Sequence, residues 1–211
     1  MLEFTSQVLD SLRQPLENGE AVISRANRHV RYPSRFQLVA AANPCKCGGG
    51  PGAFRCRKGA VCQASYFSRI SGPFLDRIDL FVDVAPVTAM DLSLPPPAEG
   101  TAEAAARVAR ARDIQAKRYG DSNARRRNVN ADTPGSEIEA ICRLDAGAKA
   151  LVGQAAEQMA LSARAYYRVL KVARTIADLD GAASVARVHT AEALTYRFRP
   201  AEPVRPAGIV A

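Results

Sequence analysis

Hydrophobic and polar positions follow two regimes along this chain. Up to residue 85, short apolar runs alternate with turn formers; beyond residue 100, apolar residues recur at three- and four-residue spacing. Residues 5–18 place Val8, Leu9, Leu12 and Leu16 on one helical face, with Thr5 or Ser6 as N-cap, Pro15 near the end and Asn18-Gly19 as a stop. One amphipathic helix is expected there. Residues 20–25 and 29–33 are short β-prone runs joined by Ala26-Asn27-Arg28, which predicts a hairpin. Residues 36–42 are apolar and uncharged and are closed by Asn43-Pro44, the pattern of a buried strand that delivers Asn43 to a sheet edge. A second such run covers residues 80–84.

The segment 85–100, with Pro95-Pro96-Pro97, breaks both patterns and reads as a linker. Everything after it is helical in period. Helices are predicted over 101–119, from 134 to 141, over 146–159, over 162–179 and over 188–196. In the fourth of these, Tyr166, Val169, Leu170, Ala173, Ile176 and Ala177 share the inner face. The expected organisation is a mixed α/β part at 1–85, a linker at 86–100, a helical domain at 101–199 and a loose tail at 200–211.

Charge changes the picture next. A formal net charge of +8 over 211 residues favours anionic partners such as nucleic acid, nucleotide phosphates or acidic lipid, a solvated basic surface being the plainer alternative. No run approaches the roughly 20 apolar residues of a membrane span, and residues 1–5 lack the basic and apolar regions of a signal peptide. A cytoplasmic location is therefore expected. There, thiols or metal ligands are more natural than disulfides. Cys45-x-Cys47, Cys56 and Cys62 cluster around the glycine-rich run 48–52, which lets the backbone fold back so that four thiolates meet at one tetrahedral ion, zinc above others. A metal-free or redox-labile cluster is the alternative. Cys142 falls in a helical pattern as a small core residue.

Other residues carry weaker signals. Arg25, Arg28, His29 and Arg31 crowd the hairpin, which is either merely solvated or shaped to enter a nucleic-acid groove or pore. Arg77, between Asp76 and Asp79, is either an intramolecular ion pair or an arginine that reaches a phosphate. Arg164, Arg168 and Lys171 form a cationic stripe that begins in a first helical turn, where free N–H groups also suit a phosphate. The densest basic stretch lies between residues 101 and 130, with Arg107, Arg110, Arg112, Lys117, Arg118 and Arg125 to Arg127; its non-trivial reading is a nucleic-acid backbone contact. His29 and His189 show no catalytic partner pattern.

Taken in order, residues 7–17, Ile23-Ser24-Arg25-Ala26, Ala41-Ala42-Asn43-Pro44-Cys45, residues 71–80, Leu161 to Tyr166 and Val172 to Leu179 resemble the magnesium-chelatase-like AAA+ ATPases, within them the competence-associated branch. The resemblance runs from Leu2 to Arg199. It implies the C-terminal part of a P-loop-type α/β core with a hairpin and a Cys-rich insert, followed by an all-α lid. It also implies a hexameric ring that uses ATP and Mg2+ to remodel or branch-migrate DNA in natural transformation. Under it Asn43 falls on sensor 1, Arg77 on the arginine finger, Arg164 on the sensor 2 arginine, and residues 20–32 on the pre-sensor-1 hairpin that touches DNA.

The departures matter equally. No G-x-x-x-x-G-K-S/T occurs, nor the apolar strand ending in Asp-Glu that would hold magnesium. Leu2-Glu3-Phe4 is similar to the residues just past that acidic pair, so the chain is expected to start immediately after it, as an N-terminally truncated fragment or the product of a late-called start or a disrupted gene, and not to hydrolyse ATP by itself. The alternative from another class is a non-catalytic DNA-binding or adaptor module with a structural zinc knot. A third is a degenerate product with no function of its own.

Overall fold

The computed structural model describes residues 1–25, 28–48, 56, 58–85, 87, 89–95, 99–120 and 128–197. Residues 1–78 build one compact unit and residues 79–197 another. The turn residues Ala26 and Asn27, most of the glycine-rich run, Pro96-Pro97, Arg125 to Arg127 and the tail lie outside the described residues.

In the first unit the expected single helix is two. Helix α1 (Ser6–Ser11) is capped by Thr5, whose hydroxyl accepts from the Val8 amide, and α2 (Arg13–Asn18) ends at Gly19 in the left-handed region at φ 66°. Pro15 explains the break: it lacks an N–H and its ring crowds the carbonyl four residues back, that of Ser11, while the first turn of α2 tolerates it. Gly19 cannot be replaced cheaply, since a Cβ there would lie 2.7 Å from Cγ of Arg35 in a strained conformation. Strands β1 (Glu20–Arg25) and β2 (Arg28–Pro33) pair antiparallel, Ser24 opposite His29 and Arg25 opposite Arg28.

Helix α3 (Gly59–Phe67) and the single turn α4 (Gly72–Leu75) complete the unit. Its core is Leu2, Leu9, Tyr66, Ile70 and Phe74, with Leu12, Leu16 and Leu38 packed on it. Polar contacts lock the same elements: the Ser6 hydroxyl donates to the Arg69 carbonyl at 2.9 Å, and the Ser71 hydroxyl donates to Asp10 at 2.5 Å while capping α4.

The expected strands at 36–42 and 80–84 are not formed. Among the described residues the only sheet is the two-stranded β1–β2 hairpin. A strand takes its hydrogen bonds from a neighbouring strand, and neither segment has one among the described residues, so an apolar run alone leaves extended, largely exposed backbone. Val39 is 85% and Val84 88% exposed.

The described residues of the second unit form helices where the periodicity predicts them. Helices α5 (Thr101–Gly120), α6 (Gly135–Cys142), α7 (Ala146–Gln158), α8 (Ala163–Leu179) and α9 (Arg187–Thr195) match the predicted spans closely. Helix α8 is central and packs against α5, α6 and α9. Val169, Leu170, Ala173 and Ala177 are fully buried on it, as the periodicity requires, and each larger side chain contributes about 1.5–3 kcal/mol of burial. Cys142 lies in this core, where burial pushes its thiol up to about 12.

Candidate functional site

The hairpin of the first unit holds its three arginines and His29 in solvent. Arg25, Arg28, His29 and Arg31 are exposed. Strand alternation divides them between two faces: His29 and Arg31 lie with Ser24, Val22 and Glu20, whereas Arg25 and Arg28 share a face with Ile23, Val30 and Tyr32. The Ser24 hydroxyl and His29 Nδ1 are 2.8 Å apart, and Arg31 approaches Glu20 only at 3.9 Å. An exposed face that joins two guanidinium groups to an aromatic ring and two branched side chains suits a phosphodiester backbone and the bases it carries.

Asn43 is exposed and ends the extended segment, which the Met1 ammonium ties by a 3.0 Å hydrogen bond to the Ala41 carbonyl. Two residues on, the cysteine cluster begins. The four sulfurs of Cys45, Cys47, Cys56 and Cys62 all lie within 4.8 Å of one another, and those of Cys47 and Cys62 are 3.7 Å apart. A tetrahedral zinc with bonds of about 2.3 Å requires sulfurs about 3.8 Å apart. Gly48, at φ 82°, donates to the Cys45 carbonyl at 2.9 Å and so turns Cys47 back toward its partners. Crowding pushes the Cys47 thiol up to about 11, first through its hydrogen bond with Cys62, then through desolvation and the neighbouring sulfurs. A thiophilic cation reverses that preference and binds the deprotonated set. The four cysteines are thus a donor set fitted to one such cation.

Arg77 follows α4 and is held down. Its side chain is 8% exposed, one terminal nitrogen donates to the Pro73 carbonyl at 2.6 Å, and the other pairs with Glu17 of α2. Its Nε is buried with no hydrogen-bond partner among the described residues. Arg77 is thus ion-paired with Glu17, sixty residues away. Nothing in a local reading points to Glu17; its place at the end of an amphipathic helix is the only signal. Glu3 is likewise engaged, accepting from the Tyr66 hydroxyl at 3.4 Å.

In the second unit Ser162 caps α8 by accepting from the Ala165 amide at 3.2 Å, and Arg164 is exposed in the first turn. The rest of the predicted cationic stripe is used internally. Arg168 pairs with Asp79, and Lys171 donates to the Ala131 carbonyl at 2.7 Å, with burial first and the Arg168 charge second lowering its pKa. Arg118, expected on a nucleic-acid contact, instead grips the buried Asp178 at 2.8 Å, and Arg174 pairs with the same carboxylate from within α8. Asn130 donates to Asp178 at 2.8 Å and accepts from the Tyr119 hydroxyl, also at 2.8 Å. An opposite-charge pair four residues apart, Arg174 and Asp178, inside the apolar arc of Leu170, Ala173 and Ala177 is the signal for this network. Arg107, Arg110, Arg112 and Lys117 remain exposed on α5.

With these positions in hand, comparison with known proteins gives the class. The family profile described as magnesium chelatase, subunit ChlI, matches residues 1–92, and the one described as magnesium chelatase, subunit ChlI C-terminal, matches residues 98–197. The chain belongs to the magnesium-chelatase-like family, in the branch of the ComM and YifB proteins. It is 42% identical over 196 residues to Competence protein ComM of Haemophilus influenzae, 38% identical over 205 residues to YifB of Escherichia coli and 37% identical over 205 residues to YifB of Salmonella typhimurium. Each alignment covers 92% of this chain and 37% of the relative, so the chain spans well under half the length of these proteins. No helix among the described residues is long and apolar enough to cross a membrane.

Proposed function

We propose that this chain is the part of a magnesium-chelatase-like AAA+ ATPase that supplies sensors, finger, DNA-touching hairpin and lid to an ATP-driven, ring-forming DNA remodeller. The process it serves in this reading is branch migration in natural transformation, in the cytoplasm. The supporting observation is the exposed hairpin, whose three arginines and His29 face solvent on a chain similar to a competence protein.

ATP and Mg2+ fit only one side of such a site. Arg164 is exposed at the start of α8, where free amides favour an anion. Asn43 is exposed as an orienting amide would be. Arg77 has its guanidinium committed to Glu17 and Pro73, and it faces a phosphate only once that pair opens. The sequence contains no P-loop lysine to cradle phosphates, so turnover by this chain alone is not expected. The four cysteines are a structural zinc site, because four thiolates fill the coordination sphere and leave none of the open position that a catalytic zinc keeps.

The second reading is a non-catalytic DNA-binding or adaptor module, favoured by the tied-down state of Arg77. Fluorescence anisotropy with labelled single-stranded, duplex and forked DNA tests both. The triple variant Arg25→Ala/Arg28→Ala/Arg31→Ala is expected to weaken binding about tenfold or more and to flatten the salt dependence by up to about one unit of slope per lost contact. Unchanged binding removes the hairpin from the DNA interface. ATP turnover by the isolated chain that Arg77→Ala abolishes would contradict the assignment of the phosphate cradle elsewhere.

A further inference from the structure

Asn43 stands at the end of a segment that no sheet holds among the described residues. Along residues 34–44 the tethers are a 2.7 Å bond from the Ser34 amide to the Gly19 carbonyl, the Met1 bond to Ala41, and Leu38 against the core. Phe36 and Val39 point into solvent. Immediately beyond Asn43 the chain is buried again, at Cys45.

Three of the four sulfurs divide between two limbs. Cys45 and Cys47 continue the extended segment, whereas Cys62 lies within α3, and α3 is seated in the core through Tyr66. Neutral thiols join these limbs by weak contacts alone; a metal bound by all four joins them by coordinate bonds. We propose that a tetrathiolate zinc ion is the staple that positions Asn43, tying the segment that ends there to α3. The inference rests on the zinc reading of the cysteines given above. Soft thiolates select zinc over magnesium or calcium. On binding, four thiols release four protons to solvent, and the resulting net charge of 2− is offset along the sequence by Lys46, Arg55, Arg57 and Lys58. With four sulfur ligands the ion has no site for substrate, so its role is to fix geometry.

The test uses the whole chain, purified reduced with zinc and then stripped by a chelator. Metal content is measured alongside limited proteolysis read by mass spectrometry. Expected are one zinc per chain, its loss in Cys45→Ser and in Cys62→Ser, and its retention in Cys142→Ser. Stripping the wild type is expected to lower protection from cleavage at least tenfold across residues 38–48, with that of residues 135–195 unchanged. Absence of metal, or disulfides among the four cysteines in the reduced preparation, defeats the zinc reading and the staple together. Zinc bound but residues 38–48 equally protected after stripping defeats the staple and leaves the zinc reading standing. Loss of protection in both regions together also defeats the staple, since the metal would then act on global folding rather than on this segment.

Discussion

Three donors of the helical unit converge on Asp178. Its carboxylate is buried and accepts from Arg118, Asn130 and Arg174. Burial alone pushes it up, but the hydrogen bonds from Arg118 and Asn130 and the Arg174 charge outweigh that, and its pKa lies below the usual carboxylate value. Because the folded pKa is lower than the unfolded one, the stabilisation is fully present above the unfolded value, near pH 4, and is lost as the pH falls through the folded value. Asp178→Asn leaves the fully buried Arg174 without a counter-charge and is expected to cost about 3–5 kcal/mol in a urea melt at neutral pH. The same variant flattens the acid limb of the stability profile, since the group that titrates there is gone. A melt unchanged at pH 7 would mean that the network contributes registry without stability.

Between elements, the link that matters for the site runs from α2 to α4 through Glu17 and Arg77. Glu17 is partly exposed, which screens the pair, so Glu17→Gln is expected to cost only about 1–2 kcal/mol. Combined with Arg77→Met the loss should shrink, because the nearly buried guanidinium is removed with its partner, and a double-mutant cycle in thermal melts reads the coupling. Additivity within about 0.3 kcal/mol would show the pair to be energetically idle.

What can be read in the sequence divides along the same line of local against distant causes. The five helices of the second unit are legible because a helix closes its own hydrogen bonds and its apolar face repeats within a few residues. The hairpin is legible for the same reason, its partner strand being two residues away. The segments 36–42 and 80–84 mislead because their apolar runs carry no information about whether a neighbouring strand exists. The cysteine cluster is legible from residue type and spacing alone. The partner of Arg77 is not, since a contact across sixty residues leaves no local pattern. Arg118 and Arg168 mislead too, because a cation's sequence neighbourhood does not reveal the buried or distant carboxylate it serves.

At the scale of the whole molecule, both units expose apolar backbone segments. In the first, Phe36 and Val39 are exposed; in the second, Leu80, Val82 and Val84 are. Both segments are extended and neither is paired in a sheet among the described residues; the Phe81 amide donates to the Tyr196 carbonyl at 2.8 Å and the Ala41 carbonyl accepts from Met1, so each segment is only partly satisfied. Such a segment offers backbone hydrogen-bonding groups and apolar side chains together, the combination that recruits another strand. Concentration-dependent association and binding of an apolar dye are therefore expected near neutral pH, despite the net charge of +8. The variant Val39→Lys/Val82→Lys places a charge on each segment at positions that bury little, so the melting temperature should hold within about 2 °C while dye binding and the sedimentation-detected oligomer both fall. A drop in melting temperature with dye binding unchanged would place these side chains in folded contacts instead. If only the oligomer falls, the segments mediate pairing between copies of the chain without forming the apolar surface that the dye reports.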